Sequence, residues 1–550
     1  MADKDAYVND GGHKVQVSPA SASIEDDLKL IRDAARSLPP EAVKDLLSNG
    51  VCGRCIFWLF SIHRHILHCP SISSSVLSAI LRESAETEGD VADHPNNLNS
   101  VEEFEEVEVC KNCLGIMQFV YRDAKEMLAK KASAIDFATT IADVVKLECH
   151  QIENFSLELS LPSIIVDNEE AIWLYMKKTY ESKPWYHEKF PSRSITIKEF
   201  LRLSLTHPLE ILLDVKSNPS SFHIRLTYKL SDASQNGQLI SKGNECNKRR
   251  KIDDNDDLKK HANVHKVEEH EERKNSSNEL GDHKLGCLTF SLEKVSRCCS
   301  LIIQCYRNSI YIGGRYLKYS RKVSQTRWII DDERMGEASV EELVGGTILP
   351  ICQGDSYKFH AAGREDIDVR MLGTGRPFLV EIQNARQVLS EALIKDIETK
   401  INSTETKYVR VKNLKESGSQ GWALMHEGEA EKQKQYVAVV WISRPLDDND
   451  VETVTSLKDM KTLQKTPVRV LHRRSSLVRE KIIHWMNIER IAGSSQYFLL
   501  HLCSQAGTYI KEFVHGDLGR THPSIGSILG CRAEILQLDV TDVKMDSFQI

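Results

Sequence analysis

Two cysteine pairs constrain this chain more than any other feature of its sequence. Cys52 and Cys55 form one CxxC unit, and Cys110 and Cys113 form a second, with a long excursion between them. Four thiolates can close a tetrahedral site around zinc, and such a closed site leaves no open position for chemistry. The spacing therefore predicts one structural zinc ion that ties two remote segments together. Two unrelated pairs in ordinary packing and a redox dithiol are the open alternatives.

Length and composition favour a globular protein with more than one folded unit. The chain has 550 residues, of which 41% are hydrophobic and 27% are charged, close to the globular average. No apolar run approaches the roughly 18 residues that a membrane span needs, and the amino terminus lacks a secretory signal. We therefore expect no membrane association and a reducing compartment for the fourteen cysteines.

Changes in composition divide the chain into four consecutive regions. These regions are a flexible amino terminus (1–22), a helical zinc-binding region (23–148), an accessory region (149–300) and a carboxyl-terminal domain (301–550). The accessory region contains residues 233–284, which are almost all polar or charged and which we interpret as a disordered insertion. The spacing of apolar residues predicts one helix over 23–48 and another near 385–401.

Charge is distributed unevenly along the chain. The net charge of -7 excludes uniform basicity as an argument for nucleic-acid binding, so any basic surface must be local. An acidic stretch at 84–108 precedes the second cysteine pair and is typical of an exposed loop. Inside the insertion lies a basic run that is typical of nuclear-localisation patches and predicts a location in the nucleus, the cytoplasm or both. Its members are Lys248, Arg249, Arg250 and Lys251.

The stretch GREDIDVRMLGTGRPF, residues 363–378, is the most informative part of the carboxyl-terminal domain. Apolar and charged residues alternate over 367–371, which predicts a strand with Asp366 at its entrance. The glycines of 373–377 predict a turn, and the alternation that follows predicts a returning strand. We therefore expect a hairpin with a carboxylate at its mouth; a solvated charged face is the alternative.

A second signal lies near the end of the chain, in GTYIKEFVHGDLGR at residues 507–520. Apolar residues alternate over 498–502 as in a strand, and Ile510, Phe513 and Val514 fit the apolar stripe of a helix that follows. Lys511 is thus expected at the junction between this strand and this helix.

Together these strings resemble one known family. The GRED string resembles the G-R-x-D box of pseudouridine synthases, and GTYIKEF resembles the GTYIR segment of synthases that act on the tRNA TΨC arm. With RYLKYSRKVSQTRW (315–328) and RVLHRR (469–474), the chain is similar to the Pus-ten family of archaeal and eukaryotic tRNA pseudouridine synthases. The resemblance is dense from Arg315 to Val540, whereas the amino-terminal half matches mainly through its cysteine pairs.

The resemblance implies an α+β protein. Its catalytic domain would be built on a mixed, largely antiparallel sheet, preceded by a zinc-binding, THUMP-containing α/β accessory domain that grips the tRNA. The implied reaction isomerises uridine to pseudouridine at position 55 of tRNA, with position 54 as a second candidate. It breaks the N1–C1′ bond and rejoins the uracil through C5, and it needs no catalytic cofactor.

The resemblance also implies three catalytic residues. Asp366 matches the aspartate that acts as nucleophile, and Lys511 matches the basic residue beside it, since a cation near a buried carboxylate favours its ionised form. The family has arginine where this chain has Lys511, so a bidentate contact is replaced by a point charge. Tyr436 fits the aromatic residue that stacks on the uracil and helps to remove the C5 proton. An ordinary strand tyrosine is the alternative, and Tyr509 is a rival for the role.

Basic residues should line the path of the RNA, because the target nucleotide must be flipped out of a folded arm. Two basic runs, at 315–327 and 464–481, are candidates, although a basic run is more often a solvated face. The expected RNA-binding residues are Arg364, Arg315, Lys318, Arg321, Arg469, Arg473, Arg474 and Tyr509.

Other functions explain the sequence less well. A non-catalytic adaptor for RNA binding or processing would use the same basic surface, and only analysis of the RNA product separates it from an enzyme. A methyltransferase should carry a glycine-rich loop between a strand and a helix, and the sequence has none. We expect tRNA as the partner and a monomeric protein.

Overall fold

The structure is a computed structural model that describes most of the chain. The described parts are residues 24–86, 108–190, 195–230, 298–418, 421, 433–472 and 474–544. Several predictions fall outside them, namely the amino terminus (1–22), residues 87–107 of the acidic stretch, the insertion 233–284 with its basic run Lys248 to Lys251, and Arg473. For these segments the predictions stay as they are.

Helices are spread along the described parts of the chain. They are α1 (Ile24–Arg36), α2 (Pro40–Ser48), α3 (Gly53–Leu59), α4 (His63–His68), α5 (Ser74–Glu86), α6 (Ala134–Leu147), α7 (Ser163–Tyr180), α8 (Tyr186–Lys189), α9 (Ile197–Leu213), α10 (Val340–Cys352), α11 (Glu391–Asn402), α12 (Asp448–Ser456), α13 (Ile510–His515) and α14 (Ile525–Ile528). Within the described residues, no helix is both long and apolar enough to cross a membrane.

Two predicted helices differ from the observed ones. The helix expected over 23–48 is divided into α1 and α2, because Pro40 stands at the first position of α2 and has no N–H to continue a helix. The helix expected near 385–401 starts later, at Glu391. There the Ser390 hydroxyl oxygen caps the helix by accepting a hydrogen bond from the Leu393 N–H at 3.2 Å.

Twenty strands lie in the described residues. They are β1 (Val120–Arg122), β2 (Leu128–Lys130), β3 (Asn154–Ser160), β4 (Lys216–Ser217), β5 (Phe222–Lys229), β6 (Ser300–Arg307), β7 (Ile310–Lys318), β8 (Val323–Ser324), β9 (Ile329–Ile330), β10 (Glu333–Arg334), β11 (Ala338–Ser339), β12 (Ser356–Ala361), β13 (Arg370–Gln383), β14 (Val409–Ser417), β15 (Gln433–Ile442), β16 (Lys458–Lys465), β17 (Val478–Arg490), β18 (Tyr497–Gln505), β19 (Thr521–His522) and β20 (Ala533–Val543). One sheet has six strands in the order β2-β1-β6-β5-β3-β4, and two small sheets pair β9 with β10 and β8 with β11.

Internal contacts divide the chain into two compact units. Among the described residues, those of the first unit lie within 1–139, 159–208 and 226–302, and those of the second within 140–158, 209–225 and 303–550. Each unit therefore contains segments that are distant in sequence, unlike the four consecutive regions that composition suggests.

The second unit contains a large sheet that carries the candidate site. Nine of its strands follow the order β14-β7-β13-β20-β15-β18-β17-β16-β19, and β12 pairs with β13. β13 runs parallel to β20, whereas the other pairs of neighbours are antiparallel. The prediction of a mixed, largely antiparallel sheet is confirmed.

Strand alternation explains how this sheet builds its core. Along β15 the side chains of Ala438, Val440 and Ile442 are fully buried, as the period of two requires. Tyr436 lies on the same face at the end of this row and is 8% exposed. The strand therefore presents the tyrosine at the edge of the core.

The predicted hairpin around residues 373–377 is wrong. β13 continues through these residues, and a register shift against β7 between Met371 and Arg376 accommodates the glycines as a bulge. Gly373 has φ +61°, and a Cβ atom there would lie 1.8 Å from the Thr541 carbonyl oxygen. The hairpin that does form pairs β12 with β13. Asp366 lies in the loop of residues 362–369 that connects these two strands.

We predict that Gly373→Ala destabilises the protein by about 2 to 4 kcal/mol, because alanine adds both left-handed strain and a backbone clash. Gly346→Ala is the matched control, since Gly346 lies in α10 and a Cβ atom there would have no neighbour within 4 Å. That change should stabilise by up to about 1 kcal/mol. Thermal unfolding of both variants measures the difference; a Gly373→Ala protein as stable as wild type contradicts the bulge.

Candidate active site

A buried network of hydrogen bonds holds the loop of residues 362–369 in position. Glu365 accepts hydrogen bonds from the Arg376 Nε at 2.8 Å and from the Tyr316 hydroxyl at 2.9 Å. The side chains of Glu365 and Arg376 are each 1% exposed. Gln325 donates through its Nε2 to the Tyr316 hydroxyl and to the Gly363 carbonyl, both at 2.8 Å. The residue before Asp366 is thus held rigidly inside the protein.

Lys318 supports the same loop and is not at the surface. Its side chain is fully buried, and its Nζ donates to the carbonyl oxygens of Val323 and Ile367 at 2.8 Å and of Asp366 at 3.4 Å. Burial lowers the pKa of Lys318 to about 8, against the opposing influence of nearby carboxylates. The structure therefore gives Lys318 contacts inside the protein, which differs from the predicted contact with RNA.

Arg321 fastens the loop to β20. Its Nη1 donates to the carbonyl oxygens of Asp368 at 2.7 Å and Leu538 at 2.8 Å, and its Nη2 contacts the Asp539 carboxylate at 2.6 Å. Arg370 pairs with the other oxygen of Asp539 at 2.5 Å. The donors of Arg321 are thus largely used within the protein, which differs from the expected role in RNA binding.

Two cations lie beside the Asp366 carboxylate, whose side chain is 42% exposed. The Arg469 Nη1 is 3.2 Å from the Asp366 Oδ2, and the Lys511 Nζ is 3.5 Å from the same oxygen. Lys511 comes from α13 in the turn after β18, which agrees with its predicted junction position. Arg469 comes from the loop between β16 and β17. The structure thus brings Asp366 and Lys511 together and adds Arg469.

Each of these cations also contacts a second carboxylate. The Arg469 Nε donates to the Glu512 Oε1 at 2.7 Å, and Glu512 is buried. The Lys511 Nζ donates to both oxygens of Asp368, at 2.8 and 3.0 Å. Partial burial raises the pKa of Asp368, but the hydrogen bond and charge of Lys511 outweigh it, so that the pKa lies below its ordinary value.

Sequence reasoning missed the roles of Asp368 and Glu512 and assigned Arg469 to phosphate binding. The one available signal was charge balance, because Asp366 and Asp368 occur two residues apart and Glu512 directly follows Lys511. Several clustered carboxylates need more than one cation nearby, yet spacing alone does not say which cation supplies the charge.

Tyr436 lies on β15 and lines the same cavity as Asp366. Burial raises the pKa of Tyr436 to about 12, with the charge of Arg376 opposing the shift. Burial therefore favours the protonated form of the phenol. Tyr509, the rival candidate, exchanges two backbone hydrogen bonds with the Gln464 amide, and its hydroxyl accepts from the Arg474 Nη1 at 3.3 Å.

Asp366, Tyr436 and Lys511 line one cavity of about 1450 Å³. This volume exceeds the 300–1,000 Å³ typical of small-molecule sites, so a nucleotide with its neighbours can enter. Cationic side chains contribute to the wall of the cavity. They are Arg364, Lys434, Arg469, Arg474, Lys481 and Lys511.

Arg315 does not line this cavity. It follows the alternation of β7, so its side chain points away from the face that carries Tyr316. It lines a separate groove of about 560 Å³ with Lys412 and Lys544, and its Nη1 donates to the Gly375 carbonyl at 2.9 Å. The structure therefore places Arg315 away from this cavity, and its expected contact with RNA stays a prediction.

The two cysteine pairs meet in the first unit. All four side chains are buried, and their sulfur atoms lie within 4.8 Å of one another. The separations are 4.0 Å between Cys52 and Cys113 and 3.8 Å between Cys55 and Cys110. Tetrahedral coordination with metal–sulfur bonds near 2.3 Å requires sulfur atoms about 3.8 Å apart, so this group could hold a metal ion.

Comparison with known proteins gives family matches in both halves of the chain. The family model "Pus10, C-terminal" matches residues 311–544, and "Eukaryotic Pus10, N-terminal" matches residues 110–275. The tRNA pseudouridine synthase Pus10 of Xenopus laevis is 30% identical over 522 residues, which cover 91% of this chain and 96% of the relative. The Mus musculus enzyme of the same name is 34% identical, covering 80% and 79%. The Homo sapiens enzyme is 46% identical, covering 45% and 47%.

Solved structures give weaker matches. A crystal structure of a Cbf5-Nop10-Gar1 complex has a TM-score of 0.24 at 15% identity, covering 42% of this chain and 49% of that chain. A crystal structure of pseudouridylate synthase has a TM-score of 0.19 at 12% identity, covering 44% and 69%. Scores this low carry no argument about the site.

We predict that Lys318→Met changes how stability depends on pH. Because the folded pKa of Lys318 is about 8 and its ordinary value is 10.5, the unfolded chain binds more protons between these values. Wild type should therefore gain stability relative to Lys318→Met as the pH rises from 8 to 10.5, by on the order of 3 kcal/mol. Urea unfolding at several pH values measures the gain. Lys322→Met, which removes an exposed lysine close to Lys318 in the chain, is the matched comparison.

Proposed function

This chain belongs to the Pus10 (Pus-ten) family of tRNA pseudouridine synthases, and on that premise we propose that it modifies uridine 55 in the TΨC arm of tRNA, with uridine 54 as a second candidate. The chain is an isomerase, and its substrate class is tRNA. The observation that carries the proposal is the position of Asp366, whose carboxylate stands between two cations at the wall of a cavity that can admit a nucleotide.

In the proposed reaction Asp366 attacks C1′ of the target uridine, and the N1–C1′ bond breaks with its electron pair on uracil. The uracil turns in the cavity, and C5 then displaces the carboxylate from C1′. The C5 proton then passes to water and N1 takes up a proton from water, so that the net change in protons is zero. Water reaches the partly exposed Asp366 side chain. Tyr436 lines the cavity, and we assign it to stacking on the uracil. Its expected help in removing the C5 proton stays a prediction.

Arg469 and Lys511 position the nucleophile in different ways. Arg469 is held through its Nε by the buried Glu512, which leaves Nη1 directed at Asp366. Lys511 lies closer to Asp368 than to Asp366. It therefore neutralises Asp368 and restrains the position of Asp366. A rigid arginine and a shared lysine therefore keep the carboxylate oxygen in one place, and preorganisation of this kind lowers the barrier to attack.

The RNA should follow the cationic part of the cavity wall. Arg364 is exposed at the loop that carries Asp366, and Arg474 contacts the Tyr509 hydroxyl at the same wall. We propose that both bind phosphates that flank the target nucleotide. The prediction for Arg473 is unchanged, and the accessory region 149–300 remains our candidate for a THUMP-containing grip on the tRNA.

We also propose that the ion held by Cys52, Cys55, Cys110 and Cys113 is zinc. Four buried sulfur donors with these separations suit the tetrahedral preference of Zn²⁺. The Asn112 Nδ2 lies 3.4 Å from the Cys55 sulfur, and the Cys52 N–H donates to the Cys110 sulfur at 3.2 Å. Such donors stabilise thiolate ligands, so the surrounding residues also fit this assignment.

We predict that Asp366→Asn lowers the rate of pseudouridine formation by at least about 1,000-fold, because the amide is not a nucleophile. Affinity for tRNA should change by less than about threefold. The matched control is Asp368→Asn, which removes the neighbouring acid that also contacts Lys511 and should keep activity within about tenfold. Carbodiimide-stop mapping of an unmodified tRNA transcript, with filter binding, measures both quantities. Turnover by Asp366→Asn would remove Asp366 from its role, and binding by wild type without product would favour an adaptor.

We predict about one zinc ion per chain in the purified protein. Changing Cys110 and Cys113 to serine should abolish zinc binding and lower the unfolding temperature, because the site couples metal binding to folding. The exposed Cys149 is the control, and Cys149→Ser should retain the metal. Elemental analysis by mass spectrometry gives the count. A folded wild-type preparation without zinc would exclude this assignment.

A further inference from the structure

The turn that follows α13 has an unusual backbone. Four consecutive residues have positive φ: Gly516 at +81°, Asp517 at +48°, Leu518 at +56° and Gly519 at +81°. L-residues other than glycine occupy this region as isolated residues, and a bulky side chain such as leucine is a clear outlier there. Asp517 and Leu518 are therefore held in a conformation that a free chain would avoid.

Burial of Leu518 does not explain this strain. The side chain is 93% exposed, the highest value among the exposed large hydrophobic residues of the described chain. The conformation is instead imposed by hydrogen bonds around it. The Gly519 and Thr521 N–H groups both donate to the Gly516 carbonyl, at 2.9 and 3.1 Å, and the Arg520 N–H donates to the Asp517 carbonyl at 3.1 Å. A rigid turn thus presents an apolar side chain to solvent.

This turn is tied to the catalytic residues on two sides. It directly follows α13, which carries Lys511 and Glu512. The Asp517 Oδ2 accepts a hydrogen bond from the Val468 N–H at 3.2 Å, immediately before Arg469 in the chain. The backbone at Leu518 is therefore tied to the two segments that carry Lys511 and Arg469.

The surroundings of the turn fit a nucleic acid. The Arg520 Nη2 binds the Thr466 carbonyl at 2.6 Å, in the same loop that carries Arg469 and the exposed Arg474. Val468 is also 48% exposed in this loop. Apolar side chains between arginines match RNA, which offers base faces and phosphates side by side.

We propose that Leu518 is a wedge that packs against the bases next to the target uridine and fills the space left when that uridine is flipped into the cavity. Proteins that unstack nucleic acids use exposed leucine, isoleucine and phenylalanine side chains in this way. The inference rests on the proposed function, because it concerns how the same site gains access to its nucleotide. Leu518 does not touch the reacting atoms and is a positioning residue.

Two measurements test this proposal. Leu518→Ala should lower kcat on a folded tRNA transcript by roughly tenfold and change tRNA affinity by less than about threefold. In the Asp366→Asn protein, which binds without turnover, 2-aminopurine placed next to the target should brighten on binding as its stacking is lost. Adding Leu518→Ala to this protein should remove at least about half of that increase.

Two variants control for stability and for exposure. Leu518→Gly should unfold at the same or a higher temperature than wild type, because glycine adopts this conformation at low cost, and should lose as much activity as Leu518→Ala. Leu147→Ala alters another highly exposed leucine, 82% exposed at the end of α6, and should leave kcat unchanged. Unchanged kcat and fluorescence in Leu518→Ala would overturn the wedge and indicate another occupant, such as a protein. Absence of product from wild type would instead overturn the proposed function, while the fluorescence measurement would still decide the wedge.

Discussion

The buried ion pair between Glu365 and Arg376 is the constraint on which the rest of the site depends. Both side chains are almost completely removed from water, so losing either partner would strand a charge in the protein interior at a cost of about 3 to 5 kcal/mol. Glu365 directly precedes Asp366, and its fixed position therefore limits where the next carboxylate can lie. Arg376 reaches Glu365 because of the bulge that contains Gly373 and Gly375. Without this bulge the period of β13 would turn Arg376 to the opposite face of the sheet.

Charge at the mouth of the cavity is arranged as a set of shared pairs. Two cations, Arg469 and Lys511, each contact two acidic side chains. The acids contacted are Asp366, Asp368 and Glu512. The acids therefore outnumber the cations in this group, and further positive charge comes from the cavity wall around them. An incoming RNA backbone would meet that wall first, while Asp366 stays restrained by contacts that exist before the substrate arrives. This order of events is what the proposed reaction requires.

Much of this arrangement could be predicted from sequence, and the failures have physical causes. Alternation identified the strand of Tyr436, because a period of two reports which side chains face a core. The mixed, largely antiparallel sheet was expected from the family resemblance and not from alternation. Spacing predicted the cysteine group, whose four sulfurs do come together. The glycines at 373–377 suggested a turn, because both a turn and a β-bulge favour glycine. The two structures are distinguished by whether the strand continues along the same neighbour, which the local sequence does not show.

Cationic residues were harder to assign. Lys318 and Arg321 lie in a basic run that suggested RNA contacts, yet both bind carbonyl oxygens that hold the loop of Asp366. Arg469 lies in the second basic run, and its Nη1 is 3.2 Å from the Asp366 Oδ2, a contact that the run alone does not predict. A run of basic residues in the sequence shows which side chains are cationic but not which of them are buried. Burial depends on tertiary packing, which a local sequence pattern does not report.

The most direct test is a crystal structure of the Asp366→Asn protein bound to an unmodified tRNA. The account predicts that the target uridine is flipped into the cavity, with its C1′ within about 3.5 Å of the substituted side chain and its base against Tyr436. A target uridine that stays stacked in the arm, or that lies in a pocket away from position 366, would contradict the account.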